Sequence, residues 1–254
     1  LNFNLYSEQD NKNVPLQQDL TEAEKLRLKS IGDALDQAVV SGIDTVGFED
    51  DQVRYKLVDS LGTSILVYSK NPDSAIYSAR FSRVEGGDYE QIQSDANGRV
   101  FQYVGLGNGT HSPIIKLITP KRRQMFSLGG AYDFSENTSI ALEGVVTNND
   151  LNTFSDLSSQ DDQSYGMLLN FKHSQILGGR DSSSSSLWNS SIFYEQRGRN
   201  FQFIERYRDV EFDRDWNIRD VDLEGNEYVV RASTGISKGK NYINYNFKSF
   251  TKGN

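Results

Sequence analysis

The sequence has 254 residues, a formal net charge of -8, 36% hydrophobic and 24% charged residues, and no cysteine. This composition excludes an intrinsically disordered chain, and the acidic balance argues against a nucleic-acid partner. The absence of cysteine excludes disulfide bonds and thiolate metal sites. No apolar run reaches the length of a transmembrane helix, so a membrane-embedded form of this chain would have to be a β-barrel.

The first residues, 1–9, predict a β-strand, because Leu1, Phe3 and Leu5 alternate with asparagines. The last residues, 251–254, predict a turn. Since the chain begins inside one strand and ends just after another, we expect it to be a segment of a longer protein. A deliberately trimmed chain would look the same.

Residues 10–118 predict a small soluble α+β insertion. Thr21 and Glu24 have the spacing of a capping box, which predicts a helix with Thr21 at its N-cap. The apolar residues expected near one face of this helix are Ala23, Leu26, Ile31, Leu35 and Ala38. Short strands are predicted at 53–58, 64–68, 75–84 and 99–104, between glycine, proline and aspartate turns. The glycine-rich run 105–109 lacks the spacing of a phosphate-binding loop and predicts a turn.

The stretch 124–147 predicts one long β-hairpin with a strict two-residue period and a polar turn at 135–138. One face is apolar: Phe126, Leu128, Gly130, Tyr132, Phe134, Ile140, Leu142, Gly144 and Val146. The other face is small or polar: Ser127, Gly129, Ala131, Asp133, Ser139, Ala141, Glu143 and Thr147. Each run is roughly ten residues long, which suits a tilted strand that crosses a bilayer, whereas strands of soluble sandwiches usually have about five or six.

The region 119–254 predicts antiparallel barrel strands with long loops at 148–163 and 209–227 and a serine-rich loop at 181–186. Residues 197–200 have two interpretations, a hairpin turn or a bulge at Gly198 within one strand over 187–204. The bulge interpretation places the short turns at one end of the sheet and the long loops at the other, as in outer-membrane barrels, and accounts for a phase shift of the apolar residues. It gives seven strands, an odd number, so we expect further strands from outside the sequence to complete the barrel.

Four segments carry a resemblance: YVGLGNG at 103–109, SPII at 112–115, NNDLNTFS at 148–155 and DVEFDRDWN at 209–217. They resemble internal segments of large outer-membrane or cell-surface β-proteins of the Bacteroidota. The resemblance spans residues 100 to 220 approximately and implies an outer-membrane location, but its motifs are structural and imply no active-site residue. The chain departs from the usual terminal pattern of such barrels, because it does not end on a strand with a terminal aromatic residue.

Few residues in the sequence have a pattern typical of a chemical site. His111 and His173 lack the spacing of metal ligands, so we expect both to be ordinary surface or sheet residues. No catalytic constellation stands out in the sequence. One acidic string places oxygen ligands at positions 1, 3, 5 and 12 of a calcium loop: Asp213, Asp215, Asn217 and Glu224. Position 6 is Ile218 where that pattern has glycine, so a solvated acidic loop is the alternative.

Together these observations predict a mainly β protein, an antiparallel transmembrane β-barrel segment of long meander strands with the α+β insertion. We expect part of a large outer-membrane protein of a Gram-negative bacterium, with a transport, secretion or surface-assembly role and no enzymatic activity. Its expected partners are membrane lipid and the other strands of a larger barrel or other subunits of a membrane complex. No cofactor is expected apart from the candidate calcium ion. The alternative is a secreted all-β module that binds a glycan or protein through its long loops.

Overall fold

The computed structural model describes residues 1–14, 18–60, 62–178, 185–219 and 224–253. The protein is mainly β, with 54% strand and 7% helix, and its strand pairs are antiparallel, which confirms this part of the prediction. The chain divides into two compact units, one of Leu1–Lys12 with Pro120–Asn254 and one of Asn13–Thr119.

No helix within the described ranges combines the length and the apolar character needed to span a membrane.

The first unit is one seven-stranded sheet whose strands are numbered along the whole chain. They are β1 (Asn2–Gln9), β12 (Arg122–Ser135), β13 (Thr138–Asp150), β14 (Gln163–Leu177), β15 (Ser186–Arg197), β16 (Asn226–Lys238) and β17 (Asn241–Gly253). The sheet order is β1-β12-β13-β14-β15-β16-β17, a plain meander in which each strand pairs with the next one in this unit. β12 to β17 have 12 to 15 residues each, about twice the length usual in soluble sheets.

The predicted hairpin at 124–147 is confirmed by the pairing of β12 with β13. Phe126 lies opposite Val146 and Gly130 lies opposite Leu142, so the predicted apolar residues share one face. The register shifts between Asp133 and Ser135, next to the turn. The two-residue alternation of the sequence therefore fixes both the register and the face of each side chain.

The prediction of a single strand over 187–204 is wrong, and so are the loop bounds derived from it. β15 ends at Arg197 and β16 begins at Asn226, so the connection covers 198–225 and not 209–227. The other long connection covers 151–162, shorter than the predicted 148–163, because β13 and β14 extend further. Gly198 does not form a bulge: its carbonyl accepts a hydrogen bond from the N–H of Phe201 (3.1 Å), which turns the chain out of the strand.

Two further predictions fall at the margins of the first unit. The predicted turn at 251–254 is wrong for 251–253, because β17 continues to Gly253 in register with Asn226. Residues 181–184 of the predicted serine-rich loop and residues 220–223 of the second long loop lie outside the described residues.

In its described residues, 13–14, 18–60 and 62–119, the second unit has one regular helix, a short 3₁₀ helix and ten short strands. The helices are α1 (Glu22–Ser30) and the 3₁₀ turn Leu35–Gln37. The strands are β2 (Val39–Ser41), β3 (Ile43–Thr45), β4 (Tyr55–Ser60), β5 (Thr63–Tyr68), β6 (Tyr77–Ala79), β7 (Ser82–Gly87), β8 (Tyr89–Ile92), β9 (Val100–Tyr103), β10 (Gly109–Ser112) and β11 (Ile114–Lys116). They form two four-stranded sheets, β3-β6-β4-β5 and β7-β10-β8-β9, and the pair β11-β2. The core of the unit is largely aromatic: Tyr55, Tyr89 and Phe101 pack with Leu66, and Phe81 is stacked on Phe101.

The capping box predicted for the helix is confirmed, but the predicted helical face over residues 23–38 is not. The side chain of Thr21 accepts a hydrogen bond from the N–H of Glu24, and Glu24 accepts one from the N–H of Thr21 (2.7 Å). The helix ends at Ser30, and its buried residue is Leu28, while Leu26 is 67% exposed. The expected face failed because it assumed one continuous helix as far as Ala38.

Candidate functional site

The long strands of the first unit give its sheet two chemically different faces. We call the face that carries Phe126 the apolar face and the face that carries Ser127 the polar face. The register extends the apolar face over all seven strands, and its large side chains include Phe3, Leu5, Phe126, Leu128, Tyr132, Ile140, Leu142, Val146, Tyr165, Leu169, Phe171, Trp188, Ile192, Tyr194, Val230, Ile236, Ile243, Tyr245 and Phe247.

Apolar side chains of this sheet are exposed and small polar ones are buried, the reverse of the arrangement in a water-soluble sheet. On the apolar face Leu128 is 53% exposed and Leu142 is 49% exposed. On the polar face Ser127 is 3% exposed and Thr147 is 2% exposed. An exposed apolar patch that continues over seven strands far exceeds the patches found on ordinary monomers, so this face has the character of an interaction surface.

Ionic side chains are confined to the polar face of the sheet, apart from the strand ends. The polar face carries Glu8, Arg123, Asp133, Glu143, Lys172, Glu195, Arg197, Glu227, Arg231, Lys248 and Lys252. On the apolar face the described strands carry Asp, Glu, Lys or Arg at three end positions, where Arg122 pairs with Asp150 at 3.2 Å and Lys238 precedes a turn.

The described residues 198–219 of the connection 198–225 fold back over the polar face instead of extending the sheet. Phe201 and Phe203 contact each other edge to face, and a Cβ atom placed on Gly166 of β14 would lie 3.0 Å from the ring of Phe201. The carbonyl of Phe203 accepts a hydrogen bond from the guanidinium of Arg123 on β12 (2.8 Å). The alternation of Phe201 and Phe203 thus serves packing against the sheet and not strand pairing.

A network of ion pairs fastens this connection to the sheet. Arg208 donates to Glu195 on β15 through Nε (3.2 Å) and to Glu227 on β16 through Nη1 (2.8 Å). Glu227 also accepts from Arg197 Nε (2.7 Å) and lies 3.2 Å from the ammonium group of Lys252 on β17. Glu195 and Glu227 are only 5% and 8% exposed. Burial of a charge is costly unless the charge is paired, and these ion pairs supply a partner for each carboxylate.

Two groups of the connection have shifted pKa values. Burial raises the pKa of Tyr207. The carboxylate of Glu195, which accepts a hydrogen bond from the hydroxyl of Tyr207, raises this pKa further. Burial by itself would lower the pKa of Arg208, but its hydrogen bonds to Glu195 and Glu227 outweigh that effect and raise it. Arg208 therefore stays charged, and Tyr207 stays a hydrogen-bond donor throughout the physiological range.

A cavity of about 500 Å³ lies between the polar face and the connection, and we call it the loop cavity. Its walls come from β1, β12, β13, β14 and β15 on one side and from residues 201–207 on the other. The walls are mostly apolar, with Glu143, Glu195, Arg197 and Glu205 as the ionic residues. This size and lining are typical of small-molecule sites.

The structure describes all four residues of the candidate calcium site: Asp213, Asp215, Asn217 and Glu224. Asp213 and Asp215 lie in the one-turn helix α2 (Phe212–Asp215), and Asn217 follows it with φ 53°. Asp215 pairs with Arg214 (3.2 Å) and Glu224 pairs with Arg199 (3.3 Å). Within the described part of the chain, the three carboxylates do not gather within 4.8 Å of one another. The calcium site stays a prediction.

Both histidines lie on strands and bond to neighbouring threonines. His111 on β10 contacts the hydroxyl of Thr110 through Nδ1 (2.9 Å), and its ring packs on Phe101. His173 on β14 contacts the hydroxyl of Thr138 (2.8 Å). These are the ordinary sheet positions that the sequence predicts.

The sequence analysis missed the residues that fasten the connection to the polar face: Glu195, Tyr207, Arg208 and Glu227. A signal for two of them was present. Glu195 and Glu227 stand inside alternating strands, where an acidic residue needs a cationic partner if it is buried. Arg208 gave no such signal, because a basic residue in a polar segment usually stays in solvent.

Comparison of the chain with family models, with curated proteins and with solved structures finds no match.

Proposed function

We propose that the seven-stranded sheet forms part of the wall of an outer-membrane β-barrel in a Gram-negative bacterium. Its apolar face lies against lipid, and its polar face lines a water-filled interior. The observation that carries this proposal is the inverted burial, in which large apolar side chains are exposed on a face that has no ionic residue between the strand ends. Barrel walls have an apolar outer band and a polar interior, whereas soluble sheets cover their apolar face.

The position of the apolar band supports strands that are tilted in a membrane. The large apolar residues of β1 are centred on Phe3, and those of the apolar face of β17 are centred on Tyr245. Through the register, Phe3 lies level with Gly144 of β13, and Tyr245 lies level with Thr138 of β13. The shift is six residues (144 − 138) over six strand pairs, or one residue per strand. With a strand spacing of about 4.8 Å and a rise of about 3.3 Å per residue, a level band then requires a tilt of about 35°. Membrane barrels have strand tilts of about 35–45°.

The two edges of the sheet determine the partners that this proposal requires. Within the described part of the chain, β1 and β17 each pair with one strand only. Lipid cannot hydrogen-bond the free backbone groups of an edge, so both edges pair with other strands of a larger barrel or with other subunits. Residues 198–219, which fold over the polar face, narrow the proposed interior beside it. A conduit with such a constriction fits a role in transport, secretion or surface assembly.

The test uses single cysteines, because the native sequence has none. Nitroxide labels at Leu142→Cys and Leu169→Cys report on the apolar face, and labels at the adjacent Ala141→Cys and Asn170→Cys report on the polar face. In the membrane-assembled protein, we expect the first pair to be relaxed by dissolved oxygen, which concentrates in lipid. The second pair should be relaxed by a water-soluble nickel chelate.

The same measurement distinguishes a secreted binding module. Such a module would stay in solution without detergent, and the nickel chelate would reach labels on either face. Loss of the two-residue alternation in oxygen accessibility would overturn the barrel proposal.

A further inference from the structure

The loop cavity has the size of a ligand site. Its volume of about 500 Å³ lies within the range of about 300–1,000 Å³ that is usual for small-molecule pockets. One wall is the paired sheet, and the other is held by Arg208 to two strands. A pocket whose walls are both fixed needs little reorganisation to bind a ligand.

Most of the lining is apolar and suits the body of an organic molecule. The residues that supply it are Met125, Val145, Leu168, Phe201, Phe203 and Ile204. Met125 and Val145 come from the polar face of β12 and β13. Removing this surface from water favours a ligand with an aliphatic or aromatic part.

The polar groups of the lining differ in whether they are already engaged. Glu195 is held by Arg208, Arg197 is held by Glu227, and both pairs belong to the network that fixes the connection. Glu143 stands on β13 opposite Gly129, beside Leu168 of β14. It makes no hydrogen bond or ion pair with any described residue. Glu205, the remaining ionic residue of the lining, is exposed on the connection, so Glu143 is the half-buried carboxylate that the described lining leaves to a ligand.

We propose that the loop cavity binds a small molecule with an apolar or aromatic body and one protonated amine, and that the amine pairs with Glu143. An ammonium group would supply the partner that the half-buried carboxylate lacks, and such charge-assisted bonds are the stronger ones. A carboxylate ligand would meet Glu143 and Glu205 without a free cation, since Arg197 is engaged with Glu227 and the guanidinium of Arg123 donates to the carbonyl of Phe203.

This inference rests on the packing of the connection against the sheet and does not depend on which medium faces the apolar side. Binding can therefore be measured on the full chain, in detergent or without it. If the membrane proposal fails, the proposal of a ligand in the loop cavity is unaffected, and the reverse also holds.

The test compares three probes of one shape by isothermal titration calorimetry: 4-phenylbutylamine, 4-phenylbutanol and 4-phenylbutyric acid. The variants are Glu143→Gln, which keeps the shape and removes the charge, and Glu136→Gln, which makes the same change in the β12–β13 turn outside the cavity. A third variant, Val145→Trp, fills the cavity.

We expect the wild-type chain to bind the amine about tenfold more tightly than the alcohol, as a bond to a charged group implies, and to bind the acid most weakly. Glu143→Gln should reduce amine binding to the level of the alcohol, Glu136→Gln should leave it unchanged, and Val145→Trp should weaken all three probes. Equal affinity of the wild type for amine and alcohol, equal losses in the two glutamine variants, or no saturable binding would each overturn the proposal.

Discussion

At the residue scale, Arg208 fastens the connection to two strands of the sheet through one guanidinium group. It donates to Glu195 and Glu227, and its guanidinium lies over the ring of Phe212 at 4.1 Å. Removal of one partner from a buried ion pair is costly because the other charge stays buried and uncompensated.

We predict that Arg208→Gln loosens the connection, at a cost of about 3–5 kcal/mol, the usual result of breaking a buried pair. Limited proteolysis should then cut within 199–219 much faster than in the wild type. The matched control is Arg219→Gln, since Arg219 is exposed. Identical cleavage rates in the two variants would show that Arg208 does not fasten the connection.

A second prediction concerns the apolar face and rests on the proposed membrane location. Leu142→Arg should destabilise the membrane-inserted form by about 2–4 kcal/mol, the cost of a charge near the bilayer midplane. Ala131→Arg should have a much smaller effect, because Ala131 is exposed on the polar face. Urea titration of protein folded into liposomes measures both, and equal losses would contradict the assignment of the faces.

At the element scale, the sequence predicted those elements whose signals are local. The hairpin and the capping box follow from alternation and from the spacing of Thr21 and Glu24, and both are confirmed. The connection 198–225 could not be predicted, because Phe201 and Phe203 alternate like strand residues while their partners lie on strands far away in the sequence. The loop cavity was hidden for the same reason, as Glu143 and Phe203 meet only in the folded chain.

The helix α1 provides a prediction at this scale. Its N-terminus is fixed by the reciprocal hydrogen bonds of Thr21 and Glu24, so Thr21→Ala should destabilise it by about 1 kcal/mol. Hydrogen exchange of amides 24–30 should accelerate by several-fold. Thr21→Ser keeps the hydroxyl and should exchange like the wild type, and an equal acceleration in both variants would rule out the cap as the cause.

At the scale of the whole molecule, the two units differ in how they are stabilised. The second unit has an aromatic core in which two buried tyrosine hydroxyls accept backbone hydrogen bonds. The N–H of Phe101 donates to the hydroxyl of Tyr55 (3.0 Å), and the N–H of Leu66 donates to that of Tyr89 (2.9 Å). Burial raises the pKa of Tyr55 and of Tyr89 above the ordinary value of 10.0.

We predict that the second unit is sensitive to alkali. A tyrosine whose pKa is higher in the folded state contributes stability that is fully present below its unfolded pKa and is lost as the pH rises through the folded value. Residues 13–119 produced alone should therefore keep their stability up to about pH 10, the ordinary pKa of tyrosine, and lose it above that value. Circular dichroism during urea unfolding at pH 8 to 12 measures this loss. Unchanged stability at pH 12 would contradict it.

The network around Arg208 also depends on how β15 and β16 are paired. Glu195 and Glu227 come from different strands and reach the same guanidinium only when β15 and β16 are paired in the native register, with Arg197 opposite Glu227. A slip by one residue would turn Glu227 to the other face of the sheet. Arg208 would then lose one of its two carboxylate partners, and the connection would no longer be fastened to both strands. Closure of the connection through both glutamates therefore requires the native register of the two strands beneath it.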